Sequence, residues 1–190
     1  MLRRIALLLV LLTAGTATSQ ATELEIALSD EMAEVLLIGE QSRTDTQGTR
    51  FGGGLLYNDD RDLLGTLFLQ VTNRGEWRWQ PLTFGLGAKV YAADLDRPDE
   101  TVGALGLGGD VGVGIPAQIP LAVVFTGYLS PTITTFGDAE RLTEFMVRLE
   151  GEITRGAHAF LGYRQLKVHS DDFRDVHLDK GLHAGIRLSF

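Results

Sequence analysis

In most of this sequence, apolar residues alternate with residues that are polar or small. This period of two is the feature that most restricts the fold. The end of the chain, residues 181–190, shows it clearly and reads GLHAGIRLSF. Because successive side chains of a strand point to opposite faces, such a segment has one apolar face and one polar face. The apolar set is Leu182, Ala184, Ile186, Leu188 and Phe190. We therefore expect a two-faced β-strand here.

The same segment places an aromatic residue at the last position, with no polar tail after it. This ending resembles the terminal strand of bacterial outer-membrane barrels. The resemblance implies that the barrel-assembly machinery reads this strand during insertion. The residues that would form this assembly signal are Leu182, Ile186, Leu188 and Phe190.

The beginning of the chain has the pattern of a secretory signal peptide. Two arginines precede an apolar stretch at 5–12, and residues 19–21 read Ser-Gln-Ala, a small-x-small cleavage site. We predict a signal peptide over 1–21 and a single mature domain over 22–190. Nothing after it approaches the roughly 20 uninterrupted apolar residues that a membrane helix needs.

Composition excludes several classes of function. The chain has 0 cysteines, which excludes disulfides, thiolate metal sites and cysteine nucleophiles. Without the two arginines of the predicted signal peptide, 15 basic and 25 acidic residues remain, a formal net charge of −10. Nucleic acid is therefore not an expected partner, because binding it depends on an excess of basic residues.

From residue 22 onward the alternation falls into about ten stretches, separated by residues typical of turns. One turn is expected at 73–75, and a long polar loop at 169–179, just before the last strand. The predicted strands are 22–28, 33–40, 50–58, 63–72, 77–92, 105–115, 121–135, 144–153, 157–168 and 181–190. The connections after odd-numbered strands are the acidic ones, as expected if they share one rim of a barrel.

Two of these stretches indicate which face is enclosed. In 105–115, leucine, valine and isoleucine alternate with Gly106, Gly108, Asp110, Gly112 and Gly114. A soluble barrel would place the large apolar side chains inside, whereas a membrane barrel places them outside. In 144–153 the polar face is charged, which is incompatible with lipid. We therefore predict an all-β fold, a closed antiparallel transmembrane β-barrel of about ten strands, with eight as the alternative count.

The predicted inner face carries charges of both signs, which would be tolerated there only as partnered groups. We expect them to pair across the lumen, beginning with Lys89 and Asp110 on adjacent strands. Such a narrow barrel would be plugged by these pairs or retain a thin water path. The predicted lumen network is Lys89, Asp110, Glu144, Arg148, Glu150, Glu152, Arg164, His183 and Arg187.

Several short blocks, taken in order, resemble the YfaZ family of exported bacterial proteins. They are LSDEMAE at 28–34, GLLYNDD at 54–60, LLGTL at 63–67, GLGAKVYAA at 85–93, ALGLGG at 104–109, GYLSP at 127–131 and FLGYR at 160–164. The resemblance spans nearly the whole mature chain. It implies an outer-membrane barrel and brings no substrate, cofactor or catalytic residue.

Three segments contain residue types that are found in binding or catalytic sites, and each also has a simpler interpretation. Residues 112–117 fit G-x-G-x-x-A, but prolines and the absence of a helical period argue against nucleotide binding. The His- and Asp-rich segment 169–179 has oxygen ligands suited to a divalent cation but no ordered spacing, so a solvated loop is preferred. His158 and His183 invite comparison with lipid-modifying barrel enzymes, but neither has a serine and a carboxylate at recognisable spacing.

The sequence thus predicts a protein of the cell outer membrane, exported through its signal peptide, with a structural or narrow pore-like role and no catalysis. The expected partners are outer-membrane lipids, including lipopolysaccharide, and the assembly machinery. No cofactor, metal site or catalytic residue is predicted. The alternatives are a lipid-modifying enzyme of the outer membrane and a soluble periplasmic barrel of lipocalin type.

Overall fold

The computed structural model of the chain describes residues 21–77, 80–96, 100–117, 119–137, 140–169 and 176–190, and these form an all-β structure. The predicted signal peptide, apart from its last residue, lies outside this range. The described residues contain no helix with the length and apolar character needed to cross a membrane. The strands are β1 (Ala21–Leu28), β2 (Met32–Ser42), β3 (Gln47–Asn58), β4 (Leu63–Trp77), β5 (Gln80–Leu95), β6 (Glu100–Ile115), β7 (Leu121–Ser130), β8 (Thr135–Gly137), β9 (Arg141–Thr154), β10 (Ala157–His169) and β11 (Val176–Ser189).

Ten of these strands close into one antiparallel barrel, which confirms the predicted all-β closed barrel and the larger of the two predicted strand counts. The sheet closes between β5 and β6 and between the first and last strands. At that second seam Thr22 and Phe190 exchange two backbone hydrogen bonds, of 3.2 and 2.9 Å. Closure gives each of these ten strands hydrogen-bonding neighbours on both sides, whereas the short β8 pairs only with β6 among the described residues.

The eleventh strand, β8, results from a break within the predicted strand 121–135. The predicted strand 121–135 is one segment, but β7 ends at Ser130 and a short 3₁₀ helix, Thr132–Thr134, follows. Pro131 has no backbone N–H with which to continue the ladder. After this interruption β8 pairs with β6 at 102–104, while β7 pairs with β6 at 107–115. The two segments together occupy one position in the barrel.

Several predicted boundaries were wrong, among them two that concern connections. The predicted turn at 73–75 lies inside β4, where Asn73 pairs with Phe84, and Trp77 ends β4 instead of beginning the next strand. The cross-strand ladder overrides the turn tendency of these residues. Similarly, β11 begins at Val176, inside the predicted loop 169–179, because Leu178 and Asp179 are buried in the barrel.

Large apolar side chains point outward from all ten strands of the barrel, as predicted. The exposed fraction reaches 69% for Leu86, 63% for Leu107 and 66% for Leu182. On β6 the alternate positions, such as Gly106 and Gly112, are buried. A lipocalin-type barrel requires the reverse orientation, with its leucine and valine faces turned inward. The outer wall of this barrel is therefore apolar, and its charged and polar side chains are enclosed together with a cluster of buried apolar residues.

Candidate functional site: the barrel interior

The interior is closed at one end by a cluster of buried apolar side chains, which we name the apolar cap. It lies at the loop end, the end of the barrel that carries connections 29–31 and 59–62. Four of its members, Leu95, Val102, Leu142 and Val168, have an exposed fraction of 0%. The cap is formed by Ala27, Met32, Leu56, Leu64, Tyr91, Ala93, Leu95, Val102, Ala104, Tyr128, Leu142, Phe160, Leu166, Val168 and Leu178. It fills this part of the barrel with hydrocarbon.

An ion pair between Lys89 of β5 and Glu144 of β9 lies beside the cap. The Lys89 Nζ atom is 3.0 and 2.8 Å from the two carboxylate oxygens of Glu144. The Tyr91 hydroxyl donates to one of the same oxygens at 2.6 Å. Lys89 also lies 5.2 Å from the ring centroid of Tyr91 and 5.6 Å from that of Tyr128, within cation–π range.

Asp110 is not the partner of Lys89, contrary to the sequence-based expectation. In the ladder between β5 and β6, Lys89 is opposite Gly106 whereas Asp110 is opposite Gly85. The two side chains are therefore about 13 Å apart along the strands, at about 3.3 Å per residue. Asp110 instead accepts a hydrogen bond of 2.7 Å from the Gln70 amide, which also bonds the Tyr128 hydroxyl.

A second buried group is centred on Arg164 of β10, which is 4% exposed. Its guanidinium forms an ion pair with Asp179 of the neighbouring β11 and a 2.7 Å ion pair with Glu34 of β2. The two carboxylates contact different nitrogen atoms of the guanidinium, Nη1 for Glu34 and Nε for Asp179. Arg164 therefore connects strands that are not adjacent in the sheet.

A third group of four charges spans the seam between the first and last strands. Glu25 of β1 accepts from Arg148 of β9 at 2.8 Å and from Arg187 of β11 at 2.9 Å. Glu150 of β9 pairs with both of these arginines as well, at 2.9 Å in the case of Arg187. The charges alternate in sign around the ring, so each buried ion has an opposite partner.

The other two predicted lumen residues contribute no ion pair among the described residues. Glu152 follows Glu150 on the same face and is half-buried towards the turn end, the opposite end of the barrel, which carries connections 43–46 and 155–156. His183 is inward and 3% exposed, with its ring edge-on to Phe160 at 6.0 Å. Neither His183 nor His158 is hydrogen-bonded to a serine or threonine hydroxyl of the described chain.

Sequence reasoning missed six polar residues of these groups. They are Glu25, Glu34, Gln70, Tyr91, Tyr128 and Asp179. The alternation pattern contained the signal for Glu25 and Tyr91, which occupy the predicted inner faces of their strands. Asp179 was assigned to a loop, so its inward orientation had no basis in the predicted elements.

Between these groups lies a cavity of about 80 Å³, lined by polar and apolar residues that include Glu34, Gln70, Arg148 and Arg164. Its size suits a few water molecules bound to charged groups. Within the described residues no group of three or more His, Cys, Asp or Glu side chains is placed to hold a metal ion. Most of the acidic segment 169–179, at 170–175, lies outside them.

The predicted assembly signal lies on the outer wall of β11 and just beyond it. The exposed fractions are 66% for Leu182, 45% for Ile186, 36% for Leu188 and 74% for Phe190. These side chains form one apolar row beside β1 and β10, which pair with β11. The row is accessible from outside the barrel.

Comparison with known protein families gives a match over nearly the whole chain. A family model described as "YfaZ precursor" matches residues 2–190. No curated protein matches the chain by sequence. Among solved structures, a "Bacterial polysaccharide outer membrane secretin" is similar with a TM-score of 0.44 and 9% identity, over 90% of this chain and 69% of that one. A chain from a structure described as "Unveiling the Mechanism Behind the in-meso Crystallization of Membrane Proteins" has a TM-score of 0.41 and 9% identity, over 90% and 82%.

Proposed function

The chain belongs to the YfaZ family, and from that premise we propose that it is an integral outer-membrane barrel with a structural role, closed to solutes and without catalysis. The observation that carries the proposal is the distribution of polarity in the barrel, with an apolar outer wall and with the charged side chains enclosed in the lumen as ion pairs. A water-soluble barrel exposing leucine, valine and phenylalanine on all of its strands would aggregate.

The lengths of the strands support a membrane location. A membrane-spanning strand needs about 9–11 residues when tilted by about 45°. Seven of the barrel strands have 12 or more residues, β2 has 11 and β7 has 10, and only β1 is shorter, with 8. Closure also satisfies the requirement that no strand edge meets hydrocarbon.

The contents of the lumen favour a closed barrel over a pore. Ten-stranded barrels are narrow, and water-filled channels are typical of barrels with about 16 strands or more. Here the apolar cap fills the loop end, and the three charged groups hold side chains across the space below it. A solute path would have to displace both.

Membrane location is tested by expressing the full chain with its predicted signal peptide in a Gram-negative host. The proposal expects the protein to stay in the outer-membrane fraction after carbonate extraction and to migrate faster on a denaturing gel before heating than after. Release by carbonate together with unchanged migration would contradict it.

Closure is tested with the purified barrel in planar bilayers. We expect no stepwise conductance, with a porin of known conductance as the positive control in the same bilayer. Reproducible unitary steps from the barrel would instead favour the narrow-pore interpretation. Heat-modifiable migration of the sample establishes beforehand that the barrel is folded.

A further inference from the structure

The outer wall is not uniformly convex, because it contains a groove across β6, β7 and β9. Two adjoining hollows, of about 470 and 710 Å³, share Gly127 and Phe145. Leu86, Gly109, Gly127 and Phe145 follow one another across the sheet in register, so two glycines form the floor between two large side chains. We name this feature the outer groove.

Towards the membrane interior the outer groove is lined almost entirely by hydrocarbon. Phe84, Phe125 and Phe145 form walls around the glycine floor, and all three are exposed on the outer surface. A Cβ atom at position 127 would meet no atom within 4 Å. The groove therefore offers a dry, ring-lined channel wide enough for an acyl chain.

Towards the loop end the groove becomes polar and basic. It is bordered there by Arg141, Lys167 and His169, which lie on the outer face of β9 and β10 in neighbouring register positions. Arg141 is exposed and forms no ion pair with any described residue, although the carboxylate residue Glu140 precedes it. Arg141 is four residues from Phe145, about 13 Å along the strand.

This succession, a basic rim above an apolar groove, matches the chemistry of a lipid. We propose that the outer groove binds one acylated lipid with a phosphate headgroup, its phosphate at Arg141 and one acyl chain over Gly127. The inference rests on the proposed membrane location. Basic side chains at the level of the headgroups attract anionic lipids, and the hydrocarbon below fixes where the chain lies.

The experiment uses the full-length folded barrel in detergent, titrated with phosphatidylglycerol or with diacylglycerol, and counts bound lipids by native mass spectrometry. The wild type is expected to retain one phosphatidylglycerol and to bind diacylglycerol more weakly. Gly127→Leu fills the groove and is expected to weaken phosphatidylglycerol binding by about tenfold. Gly75→Leu is the matched control, since position 75 is also outward, exposed and free of neighbours within 4 Å.

The headgroup is tested with Arg141→Gln, and Arg155→Gln in the turn at the opposite end of the barrel is its control. Arg141→Gln is expected to weaken phosphatidylglycerol binding by about tenfold and to leave diacylglycerol binding unchanged. Equal lipid retention by all variants overturns the proposal. Loss of both lipids in Gly127→Leu with no effect of Arg141→Gln overturns the assignment of the phosphate.

Two other outcomes separate this inference from the proposed function. If wild type is a dimer in detergent and Gly127→Leu is a monomer, a second copy of the chain occupies the groove and the lipid assignment is wrong. If the wild-type chain fails the carbonate and gel-migration tests, the membrane location itself fails. If the barrel passes those tests but shows no preference for phosphatidylglycerol, the lipid site in the outer groove is wrong and the membrane location still holds.

Discussion

Lys89 and Glu144 face each other across the inside of the barrel, with the ammonium nitrogen 3.0 and 2.8 Å from the two carboxylate oxygens. They belong to β5 and β9, which are separated in the sheet by β6 and β7. Their side chains are only 13% and 2% exposed. Each charge therefore depends on the other for compensation, and the pair holds two non-adjacent walls of the barrel together.

Replacing Glu144 by glutamine is expected to destabilise the folded barrel by about 3–5 kcal/mol, because the Lys89 ammonium is left buried without a counter-charge. The measurement is urea unfolding in phospholipid vesicles, followed by gel migration. The double variant Lys89→Met/Glu144→Gln removes both charges and keeps an acceptor for the Tyr91 hydroxyl, so it is expected to be more stable than Glu144→Gln alone. Glu76→Gln, at an exposed site, is the control. Equal stability of Glu144→Gln and wild type would mean that the pair contributes nothing.

The seam between β1 and β11 gives a second prediction. Glu25 is bonded to Arg148 and Arg187 and is 5% exposed, so Glu25→Gln is expected to cost several kcal/mol, about 3 or more. Glu23 lies two residues away on the same face, but its distances to Arg50 and Arg187 are 3.7 and 3.8 Å. Its side chain is 20% exposed, so Glu23→Gln is expected to cost at most about 1 kcal/mol.

The seam prediction is checked by the fraction of refolded protein that shows the faster, closed-barrel migration at increasing temperature. Loss of that form at a lower temperature in Glu25→Gln than in Glu23→Gln is the expected result. The same transition temperature in both variants would show that the buried charges do not hold the first and last strands together.

Alternation, together with turn residues and the charged face of 144–153, predicted most of the strands, the closed barrel and the orientation of its faces. These properties follow from local patterns. When glycine and leucine alternate along the chain, as at Gly106 and Leu107, the period of two indicates a strand and the larger residue indicates its outer face. The errors arose where pairing with a partner strand decides the outcome. Asn73 would suit a turn, but opposite Phe84 it continues a ladder.

The partners inside the lumen were less predictable than the strands. Lys89 and Glu144 can be predicted to point inward because they occupy alternate positions of their strands that face the lumen. Their contact with each other depends on the stagger of the strands around the closed barrel, which no local pattern encodes. The same applies to Arg164, whose partners Glu34 and Asp179 are separated from it by 130 and 15 positions. The outer groove was missed because it requires glycines of two strands to fall in register.

The outer wall provides a test that depends on depth in the membrane. Leu69 is in the middle of β4 and 58% exposed, and Leu28 is at the end of β1 and 57% exposed. In a membrane, Leu69→Arg is expected to cost about 2–4 kcal/mol and Leu28→Arg only about 0–1, because the penalty for a charge decreases towards the interface. Urea unfolding in vesicles measures both. Equal, small effects would indicate that Leu69 contacts water.

The last prediction concerns Phe190, whose side chain is 74% exposed while its backbone pairs with Thr22 through two hydrogen bonds. Since the ring packs against little of the barrel, Phe190→Ala is expected to leave the unfolding transition of the refolded protein within about 0.5 kcal/mol of wild type. In cells, however, we expect the amount of barrel in the outer membrane to fall, because the assembly machinery would lose the aromatic end of its recognition strand. Ile153→Ala is the control, as Ile153 is also outward and 66% exposed but lies on β9.

Two outcomes would contradict this prediction. If both variants accumulate in the outer membrane like wild type, Phe190 is an ordinary residue of the outer wall. If Phe190→Ala also unfolds more easily than wild type, the ring acts through stability and not through recognition.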